Sequence, residues 1–371
     1  MDIRQLTPLD PLHVRLGIPT RVDIYNMDGK LLLGRGFTVG RVDTVARLLE
    51  DGFKLANDSA RAHTAQESVF RRINALAGEL VALEQTLSEH QSIASFTFKM
   101  NKLTKLLLQC CDEDADAALA QCYLNYHHPY SALHHILVAV LVSVLSNLQG
   151  WSDAERLSLA AAALTHDLGV ISGRSELGHA GPLTQEQRKF VHQHPLVGVE
   201  LLTRLGVADP LWLQAVQDHH ETLDGSGYPA GILVALDSPA TLMAVADSFA
   251  AMLRPRAYRN RKLGNDIIED LRAHAGSWYD PALVEAIATH IGHYHAGSLV
   301  RLENTDLAVV TRHRIDQPLA PQVLVIADAT NQPLEKPYEV DSADPVYAIK
   351  AVLHPEISLS FRNMVNRAWG G

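Results

Sequence analysis

Hydrophobic and polar positions follow two different periods in the first third of the chain. Residues 20 to 39 alternate with a period of two around the Asp-Gly pair in MDGK, which predicts a short β-hairpin. In VDTVARLLEDG the apolar residues recur every three or four positions, which predicts an amphipathic helix that ends at the glycine. The helical period continues from about 64 to 108, so this segment is predicted to be helical throughout.

One apolar stripe follows that segment with spacings of three and four residues. Its members are Ile73, Leu76, Leu80, Leu83 and Leu87. Such a stripe is more typical of a helix packed on its own domain, but it also fits a short coiled-coil seam between two copies of the chain. Two heptads do not decide between these interpretations, so a homodimer stays open.

From 130 to 295 the pattern is a succession of helices with recognisable starts. Two capping boxes and two N-cap residues followed by proline mark them: Ser152 with Glu155, Thr184 with Gln187, Ser238-Pro239 and Asp280-Pro281. Beyond 298 short β-rich runs such as LAVVTRH and QVLVIAD alternate with Pro, Asn and Asp.

These patterns predict a mainly α fold with a small α/β N-terminal module and a short β-rich C-terminal appendage. We place the N-terminal module at 1–120, where dimerisation or sensing of an input is expected, the helical domain at 121–300 and the β-rich extension at 301–371. A chain of 371 residues is long enough for one main domain of about 200 residues with smaller flanking modules.

Charge and cysteine content exclude several classes of protein. The formal net charge of -10 disfavours a general nucleic-acid-binding protein, which needs a basic face, so we expect no DNA partner. The N-terminus lacks a signal-peptide pattern, and the apolar run ILVAVLVSVL is too short to span a bilayer, so we expect a cytoplasmic protein without a membrane partner. Three cysteines without CxxC spacing suggest buried apolar residues rather than disulfides or a zinc knuckle.

Metal-competent side chains recur in order along the helical domain. They are His134 in YSALHHILV, His166 and Asp167 in LTHDLG, His194 in HQHPLVG, His219 and His220 in HHETLDGSGYP, and Asp247 in AVADSF. With nineteen histidines in the chain, a His-His pair could arise by chance. The order of these residues along the helical domain, and the sequences around them, are what indicate a metal site.

This set of side chains favours a particular metal chemistry. Imidazole and carboxylate without thiolate suit first-row divalent ions, with Fe or Mn preferred and Ni or Zn left open. Five imidazoles and two carboxylates exceed the needs of one ion, so two ions that share a carboxylate are expected. Two ions about 3.5 to 4 Å apart activate water and stabilise the in-line displacement at phosphorus, which predicts a phosphohydrolase.

The His-Asp pair followed by HHETLDGSGYP resembles the HD-GYP branch of the HD phosphohydrolase superfamily, from about residue 126 to 300. The resemblance implies an HD-type helical bundle that hydrolyses the bacterial second messenger cyclic di-GMP to pGpG or GMP. It implies that the seven side chains above are metal ligands, with His166 and Asp167 at the catalytic centre and Asp167 as the bridge.

The resemblance also implies roles for two neighbouring segments. The signature loop would comprise Gly225, Gly227, Tyr228 and Pro229, with Tyr228 near the nucleotide and the loop surface open to diguanylate cyclases. Gly225 and Gly227 permit positive φ, and Pro229 fixes its own φ, so a rigid loop is expected. Arg256 and Arg259 stand where the family has cations that bind substrate phosphate, although a basic run can also be an ordinary solvated surface.

Three departures from the family pattern bear on activity. Val170 replaces the lysine of HDxGK, His179 replaces a second lysine, and Tyr130 stands four residues before His134, where members with three metals have Glu. We therefore expect two metals and slow turnover. A catalytically weak protein that binds nucleotide or a cyclase partner, and a phosphohydrolase of another nucleotide, remain as alternatives.

Overall fold

The computed structural model describes residues 6–9, 14, 18–20, 22–26, 30–34, 36–39, 42–51, 53–55, 68–89, 93, 95–125, 128–171, 184–253, 262–353 and 369. Contacts divide the chain into two compact units, Met1–Glu67 and Ser68–Gly371.

The first unit contains a four-stranded sheet and one helix. Its elements are β1 (Leu6–Pro8), β2 (Ile24–Tyr25), β3 (Leu31–Leu33), α1 (Val42–Asp51) and β4 (Phe53–Leu55). The strand order is β1-β4-β2-β3, and all described pairs are antiparallel. Ile24 pairs with Leu33, which confirms the predicted hairpin, while residues 27–29 of its turn lie outside the described residues.

Helices make up most of the second unit. They are α2 (Val69–Ser88), α3 (Phe96–Leu124), α4 (Tyr130–Leu148), α5 (Asp153–Thr165), α6 (Leu168–Ile171), α7 (Gln185–Arg204), α8 (Pro210–Asp218), α9 (Pro239–Leu253), α10 (Gly264–Ala273) and α11 (Pro281–His290). α4 is apolar on almost every face and lies in the core. It is long and apolar enough to cross a membrane, but 83% of its apolar window is buried inside the protein.

The predicted helix starts are confirmed where α5, α7 and α11 begin. Both capping boxes are present, at Ser152 with Glu155 and at Thr184 with Gln187, and Asp280 accepts a hydrogen bond from the backbone N–H of Ala282. These side chains satisfy backbone donors that would otherwise lack partners in the first turn.

The prediction of one continuous helical segment from 64 to 108 is wrong at its centre. α2 ends at Ser88 and α3 begins at Phe96, with Ser95 in the left-handed region at a φ of 56°. Ile73, Leu76 and Leu80 of the apolar stripe are buried in the core of the second unit. The stripe thus packs on its own domain, as the simpler interpretation holds.

The predicted boundary at residue 120 falls inside α3. Both ends of this helix contribute to the same core, from Phe96 and Met100 to Tyr123. The helix is kinked at Asp114, whose carboxylate accepts a hydrogen bond from the backbone N–H of Ala117 and pairs with Arg312. The kink therefore joins the helical layer to the C-terminal strands.

The C-terminal strands form one antiparallel sheet with the order β8-β7-β6-β5-β9. They are β5 (Leu299–Leu302), β6 (Leu307–Arg312), β7 (Gln322–Ala327), β8 (Pro333–Asp341) and β9 (Ile349–Leu353). Leu299 and Val309 join the helical core, whereas Val300 and Val310 form a second small core on the other face. The predicted mainly α fold with its β-rich C-terminal appendage is confirmed.

Candidate metal centre

All seven predicted ligands come together, although they belong to different helices. His134 lies in α4, His166 caps α5, Asp167 follows it, His194 lies in α7, His219 caps α8, His220 follows it, and Asp247 lies in α9. His134, His166, His194 and His219 are buried, and the other three are partly buried. The helix ends of α5 and α8 thus point their last residues into one interior site.

Asp167 belongs to two groups of side chains that could each hold a metal ion. One group is Asp167, His194, His219 and His220, the other is His134, His166 and Asp167, and the ligand atoms of each lie within 4.8 Å of one another. Its Oδ1 is 3.1 Å from His194 Nε2, and its Oδ2 is 3.6 Å from His166 Nε2. The two oxygens therefore face different groups, which is the arrangement of a bridging carboxylate.

Asp247 also reaches both groups. Its Oδ1 is 2.9 Å from His134 Nε2 and 3.7 Å from His166 Nε2, and its Oδ2 is 3.9 Å from His220 Nδ1. This span could not be predicted from the sequence, because the position of α9 depends on how the helices pack.

Three histidines have their ring orientation set by their own helices. His166, His194 and His219 place Nδ1 at 2.8, 2.6 and 2.7 Å from the carbonyl oxygen three residues earlier. A carbonyl can only accept a hydrogen bond, so each Nδ1 donates its proton and a neutral ring keeps a lone pair on Nε2. All three present the nitrogen that a metal ion requires.

The resulting lone pairs converge in a way that fits a cation. His194 Nε2 and His219 Nε2 are 3.2 Å apart, yet neither carries a proton to donate in the neutral form. The buried Nε2 atom of His166 has no hydrogen-bond partner of normal geometry among the described residues. In the neutral form these nitrogens are buried acceptors without donors, which is costly, and either a bound cation or a proton on His166 satisfies them.

The protonation states of the seven side chains also favour a bound cation. Burial lowers the pKa of His219 well below its ordinary value and that of His220 to about 4, so both rings are neutral near pH 7. Burial acts to raise the pKa of Asp167 and Asp247, but contacts with the histidines hold both carboxyl pKa values well below the usual range. Both carboxylates are therefore ionised and require a balancing positive charge.

His166 supplies that charge when no ion is bound. Burial acts to lower its pKa, but Asp167 and Asp247 raise the pKa to about 9. A divalent cation would take over this charge, and its binding would release the proton. The residues present thus fit a divalent metal site.

The signature loop is anchored by Glu221, which is fully buried. Its carboxylate accepts hydrogen bonds from the backbone N–H groups of Ala230 and Gly231, at 2.7 and 3.1 Å, and from that of Ile232 at 3.1 Å. Asp224 accepts from the backbone N–H of Ser226 at 2.9 Å. Both acids therefore order the loop through hydrogen bonds to its backbone.

The two signature glycines are required for different reasons. Gly225 has a φ of 74°, as expected for a residue that permits the left-handed region. Gly227 is not among the described residues with positive φ. A Cβ at Gly227 would lie 2.4 Å from the carbonyl oxygen of His220. The absence of a side chain therefore lets the loop pack closely against the backbone of His220, one of the predicted metal ligands.

Tyr228 lies directly beside the ligand cluster. Its ring centroid is 4.5 Å from that of His220 and 4.4 Å from that of His192, with which it stacks at an interplanar angle of 6°. The sequence suggested no role for His192, because this stack depends on how the loop folds back over α7.

The departures from the family pattern fall in different environments. The ring of Tyr130 stacks on His134 with centroids 5.5 Å apart, and Val170 lies within α6. Arg256, Arg259 and His179 lie outside the described residues.

Comparison with known proteins shows which family the chain resembles. The HD domain family matches residues 97–283. The chain is 28% identical over 262 residues to "Cyclic di-GMP phosphodiesterase PA4108" of Pseudomonas aeruginosa, covering 69% of this chain and 62% of that protein. It is 31% identical over 160 residues to "3'3'-cGAMP-specific phosphodiesterase 2" of Vibrio cholerae, covering 41% of this chain and 30% of that protein. The chain thus spans less than two thirds of the length of these relatives.

A solved structure has the same fold. It is described as Bd1817, a HDG"Y"P protein from Bdellovibrio bacteriovorus, with a TM-score of 0.50 and 16% sequence identity over 76% of this chain and 97% of that chain.

Proposed function

The chain belongs to the HD domain family, and we propose that it is a metal-dependent phosphodiesterase that hydrolyses cyclic di-GMP to pGpG or GMP. The observation that carries the proposal is the pair of His/Asp groups that share Asp167. The relatives named as cyclic di-GMP phosphodiesterases support the substrate.

We assign the ligands of two ions from this geometry. His194, His219 and His220 would hold one ion, His134 and His166 the other, and Asp167 would bridge them. Asp247 lies within reach of both groups and would complete the second. Divalent ions, with Fe or Mn preferred, would supply water activation and stabilisation of negative charge on phosphate. The stack of Tyr130 on His134 favours two ions, because an aromatic ring lies where a further carboxylate would be needed.

The remaining site residues would position the dinucleotide. Tyr228 lies beside His220, so it would lie near a nucleotide bound at the metal ions. Arg256 and Arg259 are proposed to bind phosphate, because guanidinium groups match its oxygens. Val170 cannot supply the charge of the lysine it replaces, so we propose that turnover is slow.

The decisive experiment is product analysis by chromatography. Purified protein would be incubated with cyclic di-GMP anaerobically with Fe²⁺ and in parallel with Mn²⁺, with Asp167→Asn as the control. Appearance of pGpG or GMP with the wild type alone would establish the phosphodiesterase. If cyclic di-GMP remains intact although the protein has bound two metal ions, the result would contradict the phosphodiesterase and indicate a site that binds nucleotide without hydrolysing it.

A second substrate is favoured by the relatives named as specific for 3'3'-cGAMP. The same assay with 3'3'-cGAMP at equal concentration compares the two dinucleotides. A higher kcat/KM for 3'3'-cGAMP would replace cyclic di-GMP in the proposal while leaving the metal chemistry intact.

We also propose that the signature loop binds a diguanylate cyclase. Directly after this loop, Ile232, Leu233 and Leu236 are exposed at 46%, 74% and 58%, and exposed apolar side chains close together in the chain are available to a protein partner. Co-purification of a cyclase with the wild type, and its loss in Leu233→Glu, would support this. Equal recovery with both would contradict it.

A further inference from the structure

A residue outside the family match contacts the surroundings of the metal centre. Glu84 lies in α2, before the matched residues 97–283, and only 7% of it is exposed. Its carboxylate accepts a hydrogen bond from Ser131 Oγ at 2.7 Å and one from His135 Nδ1 at 2.9 Å. Ser131 and His135 are one turn apart on α4, so α2 is tied to the helix that carries His134.

His135 links this carboxylate to a ligand ring. The side chain is fully buried, and its ring meets that of His166 nearly edge to face, with centroids 5.0 Å apart at 74°. His135 is not one of the predicted ligands and belongs to neither metal-competent group. The His135 ring therefore supplies one of the surfaces against which the His166 ring packs, beside those of His134 and His219.

From this chain of contacts we propose that Glu84 is a positioning residue for the metal centre. The hydrogen bond to Nδ1 fixes the rotation of the His135 ring, and that ring holds His166 with Nε2 directed at Asp167 and Asp247. The inference rests on the proposed metal-dependent function. It extends the functional unit to a helix that the family match does not include.

The alternative is that Glu84 only anchors α2 to α4. A matched contact elsewhere on the same helix separates the two roles. Asn74 Oδ1 accepts hydrogen bonds from Gln121 Nε2 at 3.1 Å and from Asn125 Nδ2 at 3.0 Å, so it ties α2 to α3 in a comparable way. None of these three side chains belongs to the metal-competent groups.

The test is Mn²⁺ affinity of the full chain, measured by isothermal titration calorimetry, with thermal stability recorded in parallel without metal. Glu84→Met fills a similar volume but accepts no hydrogen bond, and Glu84→Gln keeps an oxygen for His135 and an amide for the Ser131 hydroxyl. We expect Glu84→Met to weaken Mn²⁺ binding by roughly 10- to 100-fold, as found for groups that orient metal ligands. Glu84→Gln should stay within about threefold of wild type, and Asn74→Ala should lose stability without losing affinity.

Equal losses of affinity in Glu84→Met and Asn74→Ala, or unchanged affinity in Glu84→Met, would overturn the proposal. Should Glu84→Met not fold, Glu84→Asp serves in its place, because it retracts the carboxylate by roughly 1.5 Å and breaks the contact with His135. A folded Glu84→Asp variant that binds Mn²⁺ with wild-type affinity would also overturn the proposal.

The wild type separates this inference from the proposed function. Wild-type protein that binds neither Mn²⁺ nor, under anaerobic conditions, Fe²⁺ would defeat the metal-dependent function itself. Wild-type protein that binds Mn²⁺ and hydrolyses the dinucleotide, alongside a Glu84→Met variant with the same affinity, would defeat only the role of Glu84.

Discussion

At the scale of single residues, the metal centre depends on which ring nitrogen each histidine presents. His166, His194 and His219 donate Nδ1–H to their own helices, and each leaves Nε2 for the site. Which nitrogen faces the site is therefore determined locally, since the carbonyl that accepts the Nδ1 proton is three residues earlier in each case. What is not local is the convergence of the Nε2 atoms, which requires three separate helices.

The replacement of a lysine by Val170 gives the first prediction. A hydrogen bond to a charged group contributes about 1.5 to 3 kcal/mol, so Val170→Lys is expected to raise kcat/KM for cyclic di-GMP by roughly 10- to 150-fold. Val170→Met is the control, because it adds length without charge. Equal rates for the two variants, measured by product chromatography, would show that a missing cation does not limit turnover.

A partly buried carboxyl on α3 gives a prediction on pH. Burial raises the pKa of Asp116 to about 6 from an ordinary value of 3.8, against a hydrogen bond from the backbone N–H of His313 and the charge of Arg312. The folded state therefore holds this proton more tightly than the unfolded state. The contribution of Asp116 to stability is fully present below about pH 4 and is lost as the pH rises through about 6.

Asp116→Asn cannot ionise and should escape this loss. Relative to wild type, its free energy of unfolding should rise between about pH 4 and pH 8 by up to about 3 kcal/mol, measured by urea denaturation. Asp341→Asn is the control of opposite sign, because the hydrogen bond from Arg314 lowers the pKa of Asp341. A pH-independent difference for Asp116→Asn would contradict the assignment.

At the scale of elements, α6 and α7 approach so closely that a glycine is required between them. A Cβ at Gly169 would lie 2.1 Å from the carbonyl oxygen of His194 and 2.8 Å from the backbone nitrogen of Gly198. The glycine after the His-Asp pair therefore brings α7, with His194, up to Asp167. A local motif thus sets the distance between two helices.

Gly169→Ala is expected to displace α7 and to weaken metal binding. Overpacking of this kind costs about 1 to 3 kcal/mol of stability, and the shift of His194 should lower Mn²⁺ affinity as well. Gly198→Ala is the matched control in the same contact, since its Cβ would meet Val216 Cγ1 at an ordinary 3.5 Å and alanine favours a helix. Calorimetry and thermal unfolding of both variants test this, and wild-type affinity in Gly169→Ala would contradict it.

At the scale of the whole molecule, the candidate metal centre joins helices that are distant in sequence. Its seven side chains come from α4, the α5–α6 junction, α7, the end of α8 and α9. Ions bound there would cross-link most of the helical core of the second unit. Metal binding and the stability of this unit should therefore be linked.

Removal of metal is expected to lower the melting temperature. At a free Mn²⁺ concentration of about 100 times Kd, each site adds about 2.7 kcal/mol, which corresponds to a shift of roughly 4 °C per site for a unit that spans Ser68–Gly371. A chelator should reverse the shift, and Asp167→Asn should show little of it, as measured by calorimetric scans with and without Mn²⁺. An equal metal-dependent shift in Asp167→Asn would place the ions elsewhere.

Much of the protein can be read from its residues alone, because the relevant physics is local. Helical periodicity, the capping boxes at Ser152 and Thr184 and the His-Asp and GYP motifs all depend on neighbours within a few positions. They predicted the mainly α fold, the C-terminal β appendage and a set of seven side chains that the structure brings together. The break between α2 and α3 was missed, because the helical spacing of apolar residues continues beyond it, from about 64 to 108.

Packing between distant segments determined the rest. The reach of Asp247 across both groups, the stack of His192 on Tyr228 and the contact from Glu84 to His135 join residues whose separation in the chain carries no periodic signal. Gly227 illustrates the same difference. The sequence showed it as part of a motif, but the need for glycine at this position comes from the close approach to the backbone of His220, which exists only in the folded loop. Such contacts depend on close packing of complete elements, which no short stretch of sequence encodes.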